Sequence, residues 1–63
     1  MLSFEIPTMT CGHCVRTITE AVHAVDPAAE VKTDLPTHRV DVQTVAPRDV
    51  VLAQLVEAGY TPR

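Results

Sequence analysis

The sequence predicts an α+β fold: an antiparallel sheet with two helices laid on one of its faces. Three observations carry this. Apolar residues alternate with polar ones at the start of the chain, they recur twice further on at helical spacing, and a second alternating stretch lies between the two helical ones. Proline or glycine marks most of the joints. The length of 63 residues leaves room for one domain, and a chain this short buries only about 60% of its unfolded surface, so its stability is marginal.

The elements follow in order. Leu2, Phe4 and Ile6 alternate with Ser3 and Glu5, the pattern of a half-buried strand, and Pro7 stops it. Thr8 to Gly12 reads as a loop. From Cys14 onward Val15, Ile18, Val22 and Val25 fall on one helical stripe, Arg16, Thr19, Glu20 and His23 take the wet side, and Asp26-Pro27 ends the helix. Ala29 to Thr33 and His38 to Thr44 read as a hairpin joined through Leu35-Pro36-Thr37, with Val40 and Val42 facing one way and Arg39, Asp41 and Gln43 the other. Pro47 in a first turn, Asp49 behind it, the apolar set Val51, Leu52, Leu55, Val56 and Ala58, and Gly59 just past the end define a second helix. Tyr60 to Arg63 is left for a short last strand, weakened by Pro62, which has no N–H for a ladder. The order βαββαβ is the ferredoxin-like arrangement: a four-stranded antiparallel sheet with both helices on one face. Residues 1–63 contain no linker, repeat or low-complexity segment and read as a single domain.

Composition narrows the function. A net charge of −3 and 3% aromatic residues exclude a nucleic-acid binder, which needs a basic stripe and stacking platforms. Met1 is followed directly by the first strand, with no basic and apolar leader and no run long enough to cross a bilayer, so the chain is expected to be a complete, cytoplasmic protein not embedded in a membrane.

Both cysteines of the chain stand in Cys11-Gly12-His13-Cys14, after the first strand and at the mouth of the first helix. A disulfide closing so short a loop removes little unfolded-state entropy, so the pair is there for chemistry rather than folding. Two chemistries are open to it: chelation of a soft metal, or cycling between dithiol and disulfide. In a reducing compartment the thiols stay available for metal.

The βαββαβ outline with Met9-Thr10-Cys11-Gly12-His13-Cys14 after the first strand, and Ala58-Gly59-Tyr60 after the second helix, resembles the heavy-metal-associated domain family, most closely its stand-alone bacterial copper chaperones. The resemblance runs from the first strand to Tyr60. It implies Cys11 and Cys14 as metal ligands, Tyr60 bordering the site, and a copper-transporting P-type ATPase or its metal-binding domain, or a copper-responsive regulator, as partner. It also implies that Cys11 engages the partner first while Cys14 anchors the ion. The chain departs from the family in its short last strand and in His13, which stands at a variable place and is a possible further ligand.

Chemistry favours Cu(I) as the cargo. Cu(I) is soft, prefers thiolate and tolerates low coordination numbers, whereas structural Zn(II) sites close a four-ligand shell that two sulfurs cannot supply. An open shell lets an incoming thiolate bond before the donor thiolates leave. It also allows a copper-bridged homodimer of a chain that is monomeric without metal. Cys14, in the first turn of a helix, meets unpaired N–H groups and the positive end of the dipole, which lower a thiol pKa.

The remaining candidates have plainer readings. Met9 is expected to pack under the loop rather than ligate. His23 and His38 are expected to be solvated, His13 to ligate, to bond a thiolate or to be solvated, and Tyr60 either to shield the ion or to pack. Two rival functions remain. One, within the family, is a carrier of Zn(II), Hg(II) or Cd(II) or a regulatory domain of a metal-pumping ATPase; zinc-selective relatives often carry an acid where Thr10 stands, and mercury binders carry a leader. The other is a thiol-disulfide oxidoreductase, since Cys-Gly-His-Cys also occurs in disulfide isomerases, but that fold needs around a hundred residues and usually a tryptophan where Thr10 stands. No enzymatic activity is expected.

Overall fold

The computed structural model describes all 63 residues. It contains β1 (Leu2–Glu5), α1 (Gly12–Val25), β2 (Glu30–Asp34), β3 (Arg39–Gln43) and α2 (Arg48–Glu57). The strands form one antiparallel sheet in the order β1-β3-β2.

Register sorts the side chains. Leu2 lies opposite Val42 and Phe4 opposite Val40, while across the other ladder Val31 meets Val42 and Thr33 meets Val40. Because successive side chains point to opposite faces, these residues share one face. Both helices cover it. Ile18, Ala21 and Val22 of α1 and Val51 and Leu55 of α2 form one buried core with Phe4, Ile6, Met9, Ala29, Val40 and Val42. The other face is polar: the Ser3 hydroxyl donates to Asp41 Oδ1 at 2.7 Å, and Arg39 Nε donates to the same oxygen at 2.9 Å. Those two bonds, the hydroxyl first, hold the Asp41 carboxyl below the usual carboxylate range.

Four expectations are corrected. The sheet has three strands, not four. Pro62 offers no N–H, and one backbone bond, Arg63 N–H to the Glu5 carbonyl at 2.7 Å, ties this segment to the free edge of β1. Strand β1 ends at Glu5, although the Ile6 N–H still reaches the His38 carbonyl at 2.8 Å. Helix α1 begins at Gly12 rather than Cys14, with Cys11 as its extended N-cap. In α2 the apolar set is not all core: Val51 and Leu55 are buried, but Val56 is 47% exposed.

The end of α2 matters for the site. Gly59 lies at φ 93°, a left-handed conformation that suits glycine. Its N–H donates to the Val56 carbonyl at 3.0 Å, and the Tyr60 N–H donates to the Leu55 carbonyl at 2.9 Å. This pair of bonds is a Schellman motif. It reverses the chain at once, so that Tyr60, half-buried, turns back against the core.

Candidate metal site

The loop between β1 and α1 is shaped by its own backbone. The Met9 N–H donates to the Ile6 carbonyl at 3.0 Å, closing a tight turn over Pro7 and Thr8. The Met9 side chain is fully buried in the core, as its expected packing role requires. Thr10 then exits to solvent and Cys11 opens the helix, with φ −151° and ψ 172°, its carbonyl accepting the Val15 N–H at 3.2 Å. An N-cap side chain usually bonds the first-turn N–H groups. Cys11 makes no such bond, so its sulfur stays available.

One helical turn brings the second cysteine beside the first. Both are free thiols, with Sγ atoms 3.5 Å apart, and the Cys14 thiol donates to the Thr8 carbonyl at 3.8 Å. Metal–sulfur bonds run about 2.3 Å, so sulfurs up to about 4.6 Å apart can share one ion. Cys11 is exposed and Cys14 half-buried. Gly12 lies between them in sequence, and a Cβ built there would meet nothing within 4 Å.

No third ligand completes the pair. His13 is exposed, its carbonyl accepting the Thr17 hydroxyl at 3.0 Å, and no group of three His, Cys, Asp or Glu side chains able to hold an ion exists in the chain. The arrangement can therefore offer two thiolates and an open remainder of the coordination shell.

Ionisation is prepared at Cys14. Its thiol is lowered from 9.0 to about 6, first by the hydrogen bond from the Tyr60 hydroxyl, then by the backbone of Thr10 and the Cys11 thiol. The same contact, favouring the neutral phenol that donates, raises the pKa of Tyr60. The sequence anticipates a lowered Cys14 from its place in the helix. It leaves open whether Tyr60 shields the site or merely packs; Tyr60 packs half-buried against the core, with its hydroxyl placed to favour the Cys14 thiolate. A depressed folded-state pKa makes the thiolate a stabilising group, its support complete above the ordinary value of 9.0, declining below it and lost as pH falls through about 6. In a thiolate absorbance titration of the metal-free protein, Cys14 is expected to half-ionise near 6. Tyr60→Phe is expected to raise that midpoint; an unmoved midpoint would contradict the role given to the hydroxyl.

Two other histidines lie off the sulfurs. His23 Nε2 sits 3.0 Å from the Ala29 carbonyl oxygen, bracing the end of α1. His38, expected to be solvated, is half-buried instead, its Nδ1 3.0 Å from the Met9 carbonyl oxygen. No sequence rule flags that contact, because 29 residues separate the partners. No helix is long and apolar enough to cross a membrane.

Comparison with known proteins agrees with this geometry. A copper-transporting ATPase, ATPase 2 of Rhizobium meliloti, is 40% identical over 63 residues, which is 97% of this chain but 8% of that protein. The chain thus spans a small part of the curated relative it matches. Among solved structures, copper chaperone Atx1 from Synechocystis, in a trimeric form, superposes with a TM-score of 0.97 over 100% of both chains at 25% identity. A gold binding protein superposes with a TM-score of 0.94 over 100% of this chain and 97% of that one, at 38% identity. Residues 3–61 match the heavy-metal-associated domain, and the chain, with its ferredoxin-like core and its paired thiols at the head of α1, belongs to that family.

Proposed function

We propose that residues 1–63 act as a single cytoplasmic carrier domain that binds Cu(I) through Cys11 and Cys14 and passes it on by ligand exchange. The observation that carries this reading is the pair of free sulfurs 3.5 Å apart with no third ligand beside them. Soft thiolates select soft ions, and two of them leave the low coordination that Cu(I) accepts and Zn(II) resists. The solved relatives that bind copper and gold support a soft cargo.

The geometry supports such an exchange. Cys11, exposed and uncapped, meets an incoming partner thiolate, while Cys14, already favoured as thiolate, keeps the ion until the new bond has formed. The ion passes through two- and three-coordinate states. No substrate bond is made or broken, so the chain is not an enzyme on this reading. The partner is a copper-transporting P-type ATPase, through its metal-binding domain, or a copper-responsive regulator. Two copies sharing copper through their thiolates, with His13 as an extra ligand, are the loaded homodimer this open shell permits.

A second reading is favoured by the ATPase match at 40% identity over 97% of the chain: that these residues are the receiving domain of such a pump rather than the donor. Both readings use the same exchange. The test is to mix the copper-loaded, isotope-labelled chain with the metal-free metal-binding domain of a copper-transporting ATPase and follow both spectra. Copper redistributing between the two within the mixing time, without escaping to a chelator added as a trap, is the expected result; copper lost to the trap before it reaches the domain would contradict a carrier.

A further inference from the structure

We propose that His38 is a positioning residue for the metal loop, clamping the segment before Cys11 from the turn between β2 and β3. This rests on the reading that Cys11 and Cys14 hold the ion. His38 grips the loop at two places. Its backbone carbonyl accepts the Ile6 N–H at 2.8 Å, and its imidazole Nδ1 lies 3.0 Å from the Met9 carbonyl oxygen. A carbonyl only accepts, so Nδ1 carries the proton and donates. The two bonds bracket the turn Ile6 to Met9, which the Met9 N–H to Ile6 carbonyl bond closes internally at 3.0 Å. Within that bracket lies the Thr8 carbonyl that accepts from the Cys14 thiol at 3.8 Å, and two residues beyond it stands Cys11.

The turn that presents His38 is itself built for the purpose. The His38 N–H donates to the Leu35 carbonyl at 3.2 Å and the Thr37 hydroxyl to Asp34 Oδ2 at 3.0 Å. His38 is the one non-glycine residue with positive φ, at 57°. That left-handed conformation is uncommon outside glycine, although asparagine, aspartate and histidine take it more readily than other side chains. Backbone held in a sparsely populated region marks places where the surrounding structure over-determines it. From this conformation the ring reaches the Met9 carbonyl of the loop. Met9 is thereby fixed at both ends, its side chain buried in the core and its carbonyl held by the imidazole. The loop then meets the metal already ordered, and less conformational entropy is lost on binding.

Three substitutions separate the clamp from the turn. His38→Gly accepts the positive φ without strain and removes the donor. His38→Asn also tolerates that φ and places an amide N–H at the same distance along the side chain as Nδ1. His38→Asp sets an acceptor against the carbonyl. Amide hydrogen exchange at Met9, Thr10 and Cys11 of the metal-free protein, together with Cu(I) affinity against a chromophoric chelator, is read at a temperature where all variants are fully folded. His38→Gly is expected to speed exchange and weaken affinity by roughly 2- to 12-fold, the spread that one net hydrogen bond allows. His38→Asp should do at least as much, and His38→Asn should restore both to near the parent values. Equal exchange in the parent, Gly and Asn proteins would overturn the clamp, as would an Asn variant no better than Gly. If the parent protein fails to bind Cu(I), the proposed cargo is wrong while the exchange measurement still judges the clamp.

Discussion

Cys11→Ser and Cys14→Ser are each expected to abolish tight Cu(I) binding, with a loss larger than the roughly 10–100-fold that removal of an outer-shell partner costs at a metal site. With only two sulfurs within reach of one ion and no third ligand group, each substitution removes half of the donor set rather than one member of a closed shell. A serine hydroxyl is hard and stays protonated at neutral pH, so it does not stand in for a thiolate towards a soft ion. The two variants are not expected to be equal in transfer. Cys14 is the thiol lowered to about 6 and is half-buried against Tyr60, whereas Cys11 is exposed with no capping bond. Loss of Cys14 should therefore weaken retention most, and loss of Cys11 should slow handover most. Equal transfer rates for the two variants would contradict that division. Cys11 lies outside the core, so its loss should leave the thermal stability of the metal-free protein close to the parent's, whereas Cys14 packs against the core edge and its loss should cost somewhat more, together with the support its thiolate lends.

Met9→Ala is expected to be the most damaging change to the fold near the site, at about 2–5 kcal/mol, because it deletes a fully buried methionine and leaves a cavity. A domain of this size has a total stability of about 3–9 kcal/mol at the usual value per residue, so the loss takes a large share of it. The measurement is the shift in denaturant midpoint, with the slope checked for a change in two-state behaviour. Met9→Leu keeps most of the volume and should cost under about 1.5 kcal/mol. This pair also decides the role of the side chain. If Met9 packs, Leu preserves both stability and Cu(I) affinity; if it were a ligand, Leu would preserve stability and lose affinity. A Met9→Ala loss below about 1 kcal/mol would contradict the burial.

Much of this molecule is legible in its sequence, and the parts that are not each have a physical cause of their own. Alternation in Leu2, Phe4, Val40 and Val42 reports which face is buried, and the register then follows from the same residues. Gly59 past the end of α2 is legible because its left-handed conformation is one that glycine takes readily. The thiol pair is legible because two cysteines at one loop have few structural uses. The order of elements predicts a fourth strand, but a ladder needs N–H groups and Pro62 has none to give, so a single backbone bond from Arg63 remains. Its chemistry places Val56 in the core, but α2 turns it to 47% exposure. Tyr60 against Cys14 and His38 against Met9 are contacts between distant parts of the chain, set by the topology and not by any local pattern. The φ of 57° at His38 falls on a histidine, not on the glycine or asparagine that would flag it in the sequence.

The central claim, that two open-shell thiolates make this chain a Cu(I) carrier, is tested most directly by an anaerobic titration of the reduced protein with Cu(I) against a chromophoric chelator, repeated with Zn(II). Chelator outcompeted up to about one Cu(I) per chain, with far weaker Zn(II), is the predicted result. Copper left with the chelator, or Zn(II) bound as tightly as Cu(I), would contradict it.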